Sequence, residues 1–120
     1  MIANQIEKIA VAALEDIKGR DIEVIDTAKL TPLFERIVIA CGDSNRQVRS
    51  LARNVQDKVR EAGFEVISTE GEESGEWVLV DLGEVVVHIM QPAVRSYYNL
   101  EELWGGKGPA RVRKAIAANA

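Results

Sequence analysis

This 120-residue chain has little to build covalent or metal chemistry from: one cysteine, one histidine and six aromatic residues. Cys41 alone closes no internal disulfide. One thiol and one imidazole make no zinc site unless several carboxylates join them, and no spacing signal for that is visible. Long apolar runs are missing as well. None approaches the ~20 residues of a membrane span, and the opening MIANQIEKIA has no basic segment leading into an apolar one, so a cytosolic protein is expected. Disorder is not expected either, because 47% hydrophobic and 28% charged residues are ordinary for a globular domain. A chain of this length buries roughly two thirds of its unfolded surface, enough for one core.

What is present is concentrated late in the chain. Residues 77–104, WVLVDLGEVVVHIMQPAVRSYYNLEELW, hold a hairpin, a proline-started helix, the histidine and four of the six aromatics. Gly83-Glu84 is the only break between two β-branched runs, and glycine at the first place of a two-residue loop fits a tight hairpin turn. That turn predicts a register. Leu82 lies opposite Val85, with Val80 opposite Val87 and Val78 opposite Ile89 on one face; Asp81 with Val86, Leu79 with His88 and Trp77 with Met90 share the other. The first face is aliphatic and reads as core. The second mixes indole, carboxylate, imidazole and thioether, and reads as a surface with another job.

Upstream, Ile6, Ile9, Ala10, Ala13, Leu14 and Ile17 recur at helical spacing, with Gly19 as the stop. DIEVID is a short strand, residues 27–33 turn around Pro32, and ERIVIAC is a second strand. Ser44 and Gln47 form a capping box. Behind it Val48, Leu51, Ala52, Val55, Val59 and Ala62 make the buried stripe of a second helix ended by Gly63. FEVIST is read as the next strand and Pro92 as the start of a last helix. Gly105, Gly106, Gly108 and Pro109 form a hinge, which divides the chain into a domain over 1–104 and a hinge with a short basic tail over 105–120. The order of elements predicts an α/β (α+β) fold, a mixed β-sheet of about five strands with helices packed on it.

Charge is segregated. Residues 61–84 hold Glu61, Glu65, Glu70, Glu72, Glu73, Glu76, Asp81 and Glu84 with no Lys or Arg, a block that repels nucleic acid and attracts a basic protein. Arg46, Arg49, Arg53 and Arg60 project opposite the apolar stripe of the second helix. A solvated face is the default reading of that row, and a phosphate contact the alternative.

Long strings of this sequence resemble, in order and spacing, the ribosomal silencing factor family (RsfS), also called Iojap or YbeB. They are LEDIKGRDIEVIDT, RIVIACGDSNRQVRSLARNV, EAGFEVISTEGEESGEW, and WVLVDLGEVVVHIM followed by RSYYNLEELW, and they cover roughly residues 3–104. The resemblance implies a sheet similar to the nucleotidyltransferase fold and a homodimer; no cofactor is expected. It also implies docking on the fourteenth protein of the large ribosomal subunit, where the bound factor blocks joining of the small subunit and lowers translation when nutrients are scarce. Trp and Tyr are enriched at binding hot spots. The docking surface is therefore assigned to Trp77, Asp81, Glu84, His88 and Met90 of the hairpin together with Tyr98, with Asp81 and Glu84 meeting basic side chains. In a ribosome-bound protein the Arg row would face the ribosomal RNA backbone.

A nucleotidyltransferase-like fold raises the question of catalysis. Such a site needs two or three carboxylates converging on Mg²⁺, typically as Asp-x-Asp after a glycine-serine turn. Gly42-Asp43-Ser44 mimics the turn, but Asp81 stands alone, and Glu23 and Asp26 point to opposite faces of one strand. An anion at the helix start over Gly42 to Arg46 is opposed by Asp43, which favours a plain cap. A Cys41, His88 and Asp81 triad is weaker still, since the hairpin register leaves Asp81 and His88 as diagonal neighbours ~7–8 Å apart. The chain is read as a non-enzyme.

Overall fold

A computed structural model of the chain describes residues 2–98, with side chains described up to residue 95. Its elements follow the expected order: α1 (Ile2–Asp16), β1 (Arg20–Asp26), β2 (Arg36–Cys41), α2 (Asn45–Glu61), β3 (Ser68–Glu70), β4 (Trp77–Asp81), β5 (Val85–Met90) and α3 (Pro92–Tyr98). The strands form one mixed sheet in the order β1-β2-β5-β4-β3. Neighbours are antiparallel except at the centre, where β2 and β5 run parallel. Parallel strands need a long crossover, and the segment carrying α2, β3 and β4 supplies it.

The two central strands, RIVIAC and VVVHIM, are buried over nearly their whole length. On one face of the sheet α1 and α2 cover Val38, Ala40, Val78, Val80, Val87 and Ile89. On the other, Phe34 and the partly buried Val94 pack with Ile37, Ile39, Leu79, Val86 and Met90. Thr27 helps to place Phe34: its buried hydroxyl donates to the Phe34 carbonyl at 3.2 Å, and its N–H bonds to Glu35, closing the loop before β2.

Both long helices are bounded by local chemistry. Ser44 caps α2 by accepting from the Gln47 N–H at 3.1 Å, while the Gln47 side chain accepts from Asp43 rather than from the cap residue itself. At its end the N–H of Phe64 reaches the Val59 carbonyl and that of Gly63 the Arg60 carbonyl, a Schellman motif with Gly63 in the left-handed conformation. Ala62, expected as the last member of the stripe, is the C-cap and is exposed, because the helix has already ended.

Two further expectations shift. The same motif closes α1 one residue early: Gly19 bonds to Leu14 and Lys18 to Glu15, so the residue at φ 60° is Lys18. Gly19 is needed for space instead, since a Cβ there would lie 3.0 Å from the Leu14 carbonyl oxygen and 3.2 Å from Leu51. The strand read in FEVIST shrinks to Ser68–Glu70, because Phe64 is held in the cap of α2 and pairing with β4 begins only where the Ile67 N–H meets the Asp81 carbonyl.

Lys18 bears a conformation that costs an L-residue roughly 1–2 kcal/mol. Lys18→Gly is therefore expected to stabilise the domain by about 1 kcal/mol and to raise its Tm by about 4–8 °C in a thermal melt. An unchanged or lower Tm would show that the lysine side chain contributes contacts of its own.

Candidate functional site

The hairpin has the register predicted from its turn, with Trp77 opposite Met90, Leu79 opposite His88 and Asp81 opposite Val86. Gly83 sits at φ 88°, the left-handed conformation that a loop of this kind demands of its first residue. Asp81 supports the turn directly: its Oδ1 accepts from the Gly83 N–H at 2.9 Å. The Glu84 carbonyl takes the N–H groups of Glu35 and Arg36, which ties the hairpin tip to the start of β2.

The second face of the hairpin is not the open surface expected. His88 and Met90 are both 0% exposed, and Leu79 and Val86 are buried with them. The cause is position. β5 lies between β2 and β4, so both its faces meet core, and Phe34 and Val94 pack on the side that the sequence alone left open. A strand with one polar residue in six already has the near-continuous apolar pattern of a doubly covered strand. Of the six residues assigned to docking, Trp77 and Asp81 are half-buried and Glu84 is exposed. Tyr98 is the last residue of α3, and its side chain lies outside the described residues, as do the side chain of Tyr97, all of Trp104 and the hinge and tail over 105–120.

Within this face Trp77 and His88 form one unit. The indole Nε1 donates to His88 Nδ1 at 2.9 Å, with ring centroids 5.7 Å apart and planes tilted by 44°. Because Nδ1 accepts, the single ring proton of the neutral imidazole sits on Nε2, which has no hydrogen-bond partner among the described residues. Burial pulls the imidazole pKa from 6.5 down to about 3.

Around the outer part of Trp77 the sheet opens into a small cleft of about 170 Å³, lined by Glu70, Gly71, Trp77 and Leu79. Sequence reasoning missed its partners, although Glu70 is the cross-strand neighbour of Leu79. The missing signal was the β3 register, which FEVIST misled. Gly71, at φ 87°, permits the loop to pass the strand: a Cβ there would stand 2.1 Å from the Trp77 carbonyl oxygen. Of the acidic block only Asp81 is half-buried; the other seven carboxylates are exposed.

The opposite charge lies across the same loop. Arg46, Arg49, Arg53 and Arg60 are all exposed on α2. Three of them, with Ser50, Glu72 and Glu73, line an open groove of about 510 Å³. Arg49 Nη1 donates to the backbone carbonyls of Glu72 at 3.4 Å and Glu73 at 3.1 Å.

The catalytic readings find no assembled geometry. Glu23 pairs with Ile39 and Asp26 with Arg36, three places apart on an edge strand. Asp43 at the α2 start is bonded to Arg20, so the Gly42 to Arg46 segment acts as a plain cap. Cys41 is buried with its Sγ 3.3 Å from Arg95 Nη1, and His88 Nδ1 and Asp81 Oδ1 bond elsewhere. Among the described residues no three His, Cys, Asp or Glu side chains come together as a metal-ligand set, and no helix is long and apolar enough to cross a membrane.

Residues 2–119 match the family described as ribosomal silencing factor during starvation. A ribosomal silencing factor of Chromobacterium violaceum is 60% identical over 110 residues, 92% of this chain and 90% of its own. Its counterpart in Bacillus subtilis is 43% identical over 105 residues, 88% of this chain and 89% of its own. Among solved structures, a crystal structure of a Chromobacterium violaceum protein, 60% identical, covers 91% of both chains with a TM-score of 0.86.

Two outcomes follow from the Trp77–His88 unit. His88 titrates near 6.5 when unfolded and near 3 when folded. Between those values the unfolded chain binds the extra proton, so this contribution is complete above the upper value and is lost as pH falls toward the lower. Urea unfolding across that window should show stability dropping by up to about 1.4 kcal/mol per pH unit from this residue, and His88→Gln should flatten the slope by that amount. Separately, Trp77→Phe leaves His88 Nδ1 without its donor and should destabilise the domain by about 1–3 kcal/mol. Retention of parental stability would mean that the indole bond contributes nothing.

Proposed function

This chain belongs to the ribosomal silencing factor family, and we propose that it silences ribosomes by occlusion, without catalysing a reaction. In this reading it docks in the cytoplasm on the fourteenth protein of the large ribosomal subunit. Its bulk then keeps the small subunit from joining when nutrients are scarce. The observation that carries the reading is the family match across nearly the whole chain.

Occlusion asks for a stiff body and an adhesive patch. Cores on both faces of one sheet supply the first, the described residues spanning 34 × 33 × 22 Å. For the second, the buried His88 and Met90 hold the surface in shape while its exposed parts make contact. The contact residues we favour are the open edge of Trp77 with Glu70 beside the small cleft, and Glu84 at the hairpin tip. A half-exposed tryptophan with the exposed Glu70 beside it suits a basic partner, since the aromatic anchors while the charge steers. No observation favours the nucleotidyltransferase-like reading, whose carboxylates are scattered or engaged by the backbone.

The test is sedimentation with purified ribosomal subunits. The protein should travel with free large subunits, not with small ones, and should suppress their joining with no nucleotide consumed. Glu84→Lys and Glu70→Lys, both on exposed side chains, should each weaken association several-fold, chiefly through the on-rate, and leave the Tm unchanged. Equal binding to both subunits, or a need for ATP hydrolysis, would overturn the reading.

A further inference from the structure

We propose that the arginine row of α2 is a seat for the phosphodiester backbone of RNA, so that the docked protein grips ribosomal RNA with one side while its acidic side holds a protein. This rests on the ribosome-binding reading and adds a second partner to it.

The row is a line rather than a cluster. At 3.6 residues per turn Arg46, Arg49, Arg53 and Arg60 fall within an arc of about 60°, and at 1.5 Å per residue they run about 20 Å along the helix. From Arg46 to Arg53 the rise is about 10 Å, long enough to meet more than one phosphate of a backbone lying along the helix. A file of guanidinium groups suits a file of phosphates, each able to take a forked pair of hydrogen bonds.

Charge accounting favours the same occupant. Among the described residues none of these four arginines forms an ion pair with a carboxylate. Arg49 is held by the carbonyls of Glu72 and Glu73, which fix its direction without cancelling its charge. Ser50 adds a hydroxyl donor to the groove wall. The carboxylates of Glu72 and Glu73 on the far wall repel a polyanion that enters deeply. They therefore limit the seat to backbone resting along the outer side of the helix, a phosphate contact that reads no base.

The experiment measures binding of the full chain to purified large ribosomal subunits from about 50 to about 200 mM salt, for the parent, Arg46→Gln/Arg53→Gln and Arg46→Lys/Arg53→Lys. Neither side chain holds any other part of the described structure, so the variants should melt like the parent. Loss of two phosphate contacts should reduce the slope of log affinity against log salt by about 1.4–1.8, with affinity about tenfold lower at the low-salt end. The double lysine variant should keep the parental slope. If the glutamine variant matches the parent in affinity and slope, the seat is disproved while ribosome binding stands. If its affinity falls with the slope unchanged, the arginines meet a protein surface and RNA is again excluded. Failure of the parent itself to bind large subunits would overturn the ribosome reading, and this proposal with it.

Discussion

Parallel pairing of β2 with β5 at the centre of the sheet sets the terms for everything around it. Two parallel neighbours cannot be joined by a short turn, so the chain must leave β2, cross one face as α2 and return through β3 and β4 before β5 can be laid down. That crossover seals one side with helices. It also puts β5 between two strands, so that every residue of VVVHIM is buried. Even the imidazole is taken in, and burial keeps it neutral while an indole N–H donates to it.

The surface available for contact is thereby pushed outward from the centre. β5 can offer nothing to a partner in this structure, whereas the β4–β3 side carries the open part of Trp77, the cleft beside it and most of the acidic block. The arginine row occupies the outer side of α2, across the loop that joins β3 to β4. Acidic and basic surfaces are thus separated by one loop, and a net charge of −4 conceals two patches of opposite sign.

How much of this was legible in the sequence depended on whether the decisive interaction was local. The hairpin register followed from Gly83 and two alternating runs, and the α2 boundaries from Ser44 and Gly63, because each is settled within a few residues. The α1 stop was nearly right and wrong in detail: a glycine three places past the last helical residue looks like the left-handed residue, yet here the Leu14 carbonyl and the Leu51 side chain leave no room for a Cβ. Burial of His88 and Met90 depended on Phe34, more than 50 residues upstream, and on Val94, which reaches the sheet only after the chain turns at Pro92; no strand period encodes either. The cleft was missed for the same reason, since Glu70 meets Leu79 only through a register between strands whose lengths the sequence overstated.

Gly71 has a consequence for how this protein can diverge. The backbone of Trp77 passes so close that even one methyl group would have to displace the loop. The loop carries Glu70 at the cleft on one side and Glu72 and Glu73 at the arginine groove on the other. A single missense change there would perturb two surfaces at once, and neither could be tuned through that position without the other. Divergence of the two contact surfaces is therefore channelled into side chains, with the loop path itself inherited as a fixed unit.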